Sequence, residues 1–89
     1  METTFDLGML VITGNAERKL ERHDVITALK RHAARDWGDI SNEDRRLNDA
    51  ALEKGVRILS VYRDSRNVMF WIITEADRSA TTVLLPEDY

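Results

Sequence analysis

The densest apolar stretch of the chain, Val68-Met69-Phe70-Trp71-Ile72-Ile73-Thr74, is rich in β-branched and aromatic residues and predicts a strand buried on both faces. Side chains alternate along a strand, so Val68, Phe70 and Ile72 share one face and Met69, Trp71 and Ile73 the other. It is the expected centre of a sheet. Before it, Phe5, Leu7, Met9 and Val11 alternate with Asp6 and Gly8, and Leu10 and Ile12 fill the other face, which predicts a first strand over 4–13.

Thr13-Gly14-Asn15 ends that strand, and Asn15 can cap a short helix through Arg22. Asp24 is the expected cap of a second helix, 24–35, with Val25, Ile26, Leu29 and Ala33 as its apolar stripe. Gly38 suits the left-handed position beyond that helix. Ser41 caps a third helix carrying Leu47, Ala50 and Ala51, with Asp44 in the capping-box position and Gly55 ending it. Arg57–Tyr62 is then a second strand. The polar link Asp64-Ser65-Arg66-Asn67 predicts a hairpin into 68–74, and 81–85 forms a fourth strand stopped by Pro86. The expected fold is α+β and a single domain, 1–89: an N-terminal strand, two to three helices, then a three-stranded antiparallel meander with the helices on one sheet face.

This pattern leaves a surplus. Three strands are apolar on both faces, while the helical stripes are thin. A homodimer or another protein docked on the face of Met69, Trp71 and Ile73 would cover it, as would the short helix at 16–22 wrapped to that side.

Composition narrows the classes of function. A 43% hydrophobic, 33% charged chain without cysteine is an ordinary globular composition, and it excludes disulfides, thiol catalysis and Cys-type zinc sites. No apolar run approaches the roughly 20 residues a membrane span needs, and the start lacks a signal-peptide pattern, so the cytoplasm is the expected location. The net charge of -3 is arranged in blocks. Residues 16–35 carry six bases against three acids and residues 36–54 carry six acids against three bases. The result is a dipolar surface, and with this balance nucleic acid is not the expected partner.

Candidate chemistry is sparse. His23 and His32 are nine apart on opposite sides of a helix, no HExxH-like spacing occurs, and the four glycines are scattered, so no metal, cofactor or phosphate loop is expected. No serine sits in a Gly-flanked elbow, and no catalytic residue is assigned. Two polar constellations remain. One is the acidic loop Asp36-Trp37-Gly38-Asp39, where Trp37 either anchors a ligand or partner or plugs the core beneath a helix corner. The other is Glu75, Asp77 and Arg78 on the loop leaving the central strand, which either forms a polar site or shapes a turn.

The strings Asp36-Trp37-Gly38-Asp39, Asn48, Gly55-Val56-Arg57-Ile58-Leu59-Ser60-Val61-Tyr62 and Trp71 through Tyr89 resemble a family of small uncharacterised bacterial proteins labelled plasmid-related. The resemblance covers about the last two-thirds of the chain, departing at the glycine-free hairpin 63–67 and the more basic helix 24–35. It implies a gene carried on plasmids or other mobile elements and brings no catalytic residues with it. The leading expectation is a non-enzymatic protein-interaction module, an accessory or modulatory protein of such an element. The alternatives are a small enzyme or ligand-binding protein with a site built from the 36–39 and 75–78 loops, and nucleic-acid binding through the basic helix.

Overall fold

A computed structural model describes residues 2–89. The order is β1 (Met9–Ile12), α1 (Gly14–Lys19), α2 (Arg22–Ala33), α3 (Asn42–Lys54), β2 (Ile58–Arg63), β3 (Met69–Thr74), β4 (Ala80–Leu84) and a final 3-10 turn, Pro86–Asp88. The class is α+β. The four strands form one sheet in the order β1-β4-β3-β2. β2, β3 and β4 make the expected antiparallel meander, while β1 runs parallel to β4, so the sheet is mixed.

β1 is much shorter than the predicted 4–13. The residues before it do not pair; they cross beneath the helices. Thr4 bonds the Ala33 carbonyl through both its N–H and its hydroxyl, Leu7 is buried, and Phe5 packs on His32 and Trp37. The alternation of Phe5 and Leu7 therefore reports a packed crossing segment. Gly8 has φ +64°, and a Cβ there would stand 2.3 Å from the Ser79 carbonyl, so the chain enters β1 by passing tightly against the β3–β4 turn.

Local chemistry explains the helix ends. Thr13 caps α1 by accepting from the Ala16 N–H, two residues earlier than Asn15 would. α2 starts at Arg22 rather than after Asp24, and Asp24 instead accepts from the Ser65 N–H of the hairpin. Its left-handed exit residue is Arg35, at φ 67°. Ser41 caps α3 through the Asp44 N–H, and Gly55 closes it in the left-handed conformation. In the hairpin, Asn67 takes φ 66°, the conformation a glycine would supply, and the buried Asp64 carboxylate accepts from Arg66 and Val68 N–H.

The helices lie on the face of Phe70, Ile72 and Val83, where these residues, Tyr62 and Leu85 join Ala16 and Leu20 of α1 with Val25 and Ala28 of α2. A second cluster, Trp37, Ala51 and Ile58, closes the other end. α1 thus packs with α2 and does not wrap behind the sheet. On the opposite face, the C-terminus supplies part of the cover. Tyr89 stands edge-on to Trp71 at 5.7 Å between ring centroids, with Arg57 over the Tyr89 ring and bonded to its hydroxyl. Ile73 retains 4% exposure and Trp71 is half-buried, leaving Met69 the most open of the three expected interface residues.

Candidate functional site

Neither polar constellation stands as an open site. The Trp37 ring is 2% exposed, lies against Phe5 and His32, and donates from Nε1 to Asp49 at 3.0 Å. It plugs the helix corner and offers no surface for stacking. Asp36 takes a two-point contact from Arg31, at 2.7 and 3.2 Å, which holds its carboxyl below the usual range. Asp39 faces Arg63 at 3.9 Å.

Arg78 is a helix-end clamp. Its guanidinium donates to the carbonyls of Ala51, Val56 and Glu75, tying the β3–β4 turn to the C-terminus of α3, where positive charge also favours the dipole. Asp77 accepts from the Ser79 N–H within that turn, which lowers its pKa. Glu75 is exposed. Among the described residues, no hydrogen bond or ion pair joins the 36–39 loop to the 75–78 loop. On the basic helix, Arg31 is engaged by Asp36 and Arg35 by Thr4, so two of its cations have partners within the chain.

A buried polar network centres on His32, to which the sequence assigns no metal-binding or catalytic role. His32 is fully buried, with Nδ1 2.6 Å from Ser60 Oγ and Nε2 2.8 Å from Thr74 Oγ1; Thr74 in turn lies 2.7 Å from Thr81 Oγ1. Thr81 spends its proton on the Leu7 carbonyl, so Thr74 must donate to Thr81 and His32 Nε2–H to Thr74. Nδ1 is then the acceptor for Ser60. Burial pushes the imidazole down to about 4, keeping it neutral in this one tautomer. A hydroxyl donating to an imidazole is the pairing that activates a nucleophile, but Ser60 and His32 are both 0% exposed and no substrate reaches them. The network joins α2 to β2, β3 and β4. The sequence signal was the placement of Ser60, Thr74 and Thr81 on the same strand face as Ile58, Phe70 and Val83.

The surface feature that stands out lies at β1. Met9, Leu10, Val11 and Ile12 are 70%, 50%, 39% and 37% exposed, and Ile26 of α2 is 45% exposed beside them. Leu10 and Ile12 line a groove of about 530 Å³ together with Leu20, Val25, Ile26 and Leu29. Met9 N–H bonds Ser79 and Thr13 N–H bonds Val83, so the odd positions face β4. The N–H and C=O of Leu10 and Ile12 therefore point out of the sheet. β1 itself carries no charged residue and no proline.

No family model, curated protein or solved structure matches the chain. Among the described residues, no helix is long and apolar enough to cross a membrane, and no group of three or more His, Asp or Glu is placed to hold a metal ion.

Proposed function

We propose that the protein is a non-enzymatic interaction module that associates by strand addition at β1, serving a plasmid or other mobile element as an accessory protein. The observation that carries this reading is the open edge: four consecutive apolar residues with two outward-facing peptide groups, beside an apolar groove. Monomeric proteins ordinarily blunt such edges. The binding surface differs from the Met69, Trp71 and Ile73 face expected from sequence, because Tyr89 and Arg57 lie over part of that face. The mobile-element assignment rests on the resemblance of the Trp37 loop, β2 and the C-terminal third to plasmid-related proteins.

Affinity capture from a bacterial host tests the interaction reading when the unaltered chain is compared with Val11→Lys. The expected result is a protein, whether the same chain or a different one, retained by the first and lost by the second. Equal retention by both, or retention by neither, contradicts it. Turnover of a small substrate that is abolished by Asp77→Ala would favour a polar site on the 75–78 loop instead.

A further inference from the structure

We infer that the occupant of the β1 edge is β1 of a second copy of this chain, paired antiparallel about a two-fold axis at Val11. The inference rests on the strand-addition reading and names its partner.

Three features of the edge select a second copy. First, both faces of β1 are apolar, so an incoming strand must be apolar on both faces over four residues, as Met9-Leu10-Val11-Ile12 itself is. Second, the charged residues lining the groove are Glu17 and Arg22, one of each sign, which gives no preference for an acidic or a basic peptide. Third, the contact approaches the size a stable dimer needs. At the observed exposures, Met9, Leu10, Val11, Ile12 and Ile26, backbone included, present roughly 400 Å² per copy and about 800 Å² for the pair, and the groove walls of both copies extend this towards the roughly 1,200 Å² at which stable interfaces begin.

The register follows from the direction of the peptide groups. Leu10 and Ile12 face outward, so Leu10 of each copy exchanges both backbone hydrogen bonds with Ile12 of the other, and Val11 sits opposite Val11 as a non-bonded pair. Opposed residues share a face, so both sets of helices lie on the same side of a continuous eight-stranded sheet. Leu10, Ile12 and Ile26 from the two copies then meet across the axis and close the two grooves against each other. On the other face, Met9 lies opposite Thr13. The interface is isologous and closes at two.

Light scattering on the purified chain, with Val11→Lys and two cysteine variants, tests this. The unaltered protein is expected at twice the chain mass at tens of micromolar. Val11→Lys sets like charges directly opposite each other and should weaken association by about a hundredfold or more with an unchanged circular dichroism spectrum. The chain has no cysteine of its own, so each variant reports one position. Val11→Cys should cross-link on diamide treatment, since non-bonded antiparallel partners stand within disulfide reach. Met9→Cys should not, because the two copies of residue 9 are offset by four residues, about 13 Å. A monomer at every accessible concentration overturns the second-copy inference and leaves the interaction reading to the capture experiment. A dimer indifferent to Val11→Lys, or one in which Met9→Cys cross-links and Val11→Cys does not, overturns the edge and its register.

Discussion

The two edges of this sheet are built on opposite principles. At β2, the chain closes its own edge. Asn48 of α3 takes the place of a neighbouring strand, donating to the Leu59 carbonyl at 2.7 Å and accepting from the Leu59 N–H at 3.3 Å. Two residues on, the 37–39 segment pairs with Val61: Val61 N–H donates to Trp37 and Asp39 N–H donates to Val61. Every outward peptide group from Leu59 to Val61 has a partner. At β1, the equivalent groups of Leu10 and Ile12 face outward with apolar side chains around them. An unpaired edge invites association, and a chain that seals one edge this thoroughly while leaving the other apolar has one side available for a partner.

The largest expected effect comes from breaking the closed edge. Gly38 has φ +78°, and a Cβ there would lie 2.0 Å from the Val61 carbonyl, so Gly38→Ala must displace the 37–39 segment from β2. A loss of about 2–4 kcal/mol in urea unfolding is expected, since both backbone strain and the edge bonds are affected.

Acid should act nearly as strongly and through the same half of the molecule. The folded imidazole of His32 titrates at about 4 against 6.5 in an unfolded chain. Its folded pKa is depressed, so between these values the unfolded state takes up a proton that the folded state refuses. The contribution is therefore complete above pH 6.5 and is lost as pH falls towards 4, to the extent of about 3 kcal/mol. Denaturant midpoints measured from pH 7.5 down to 4 check this, and His32→Leu should remove that slope while lowering stability at neutral pH, because it leaves the Ser60 hydroxyl without its acceptor and Thr74 without its donor.

Asn48→Ala sharpens the comparison by opening the second edge without strain. About 1–3 kcal/mol should be lost, and the variant should self-associate beyond the dimer, since both edges then offer unpaired groups. Val11→Lys stands at the other extreme. Val11 is 39% exposed on an edge strand, so the substitution should leave urea stability within about 0.5 kcal/mol, with the main effect on association.

These expectations separate what the sequence made legible from what it hid. The central strand, the α3 caps Ser41 and Gly55, the hairpin and the stop at Pro86 were readable because each depends on residues within a few positions of one another. The alternation of Phe5 and Leu7 misled, since a crossing segment packed on one side has the same period as a strand. That β1 lies beside β4, and parallel to it, depends on residues some 70 positions apart and leaves no local mark. The candidate site suffered in the same way. Trp37 and Arg78 stood out for their chemistry, yet their partners Asp49, Ala51 and Val56 were invisible until the fold placed them. Asn48, a single amide in a helix, gave no sign that it would close a sheet edge. The apolar surplus follows from three strands with two apolar faces, Leu10 and Ile12 among them; the pattern alone places its interface on the Met69, Trp71 and Ile73 face, whereas the structure leaves Met9, Leu10, Val11 and Ile12 the more exposed stretch.

Residue-resolved amide hydrogen exchange at two protein concentrations tests the contrast most directly. The Leu59 and Val61 amides should be protected at both, because their partners lie within the chain. The Leu10 and Ile12 amides should exchange freely in dilute solution and become protected as concentration rises. Equal protection of all four in dilute solution, or none at Leu10 and Ile12 at any concentration, would contradict the account.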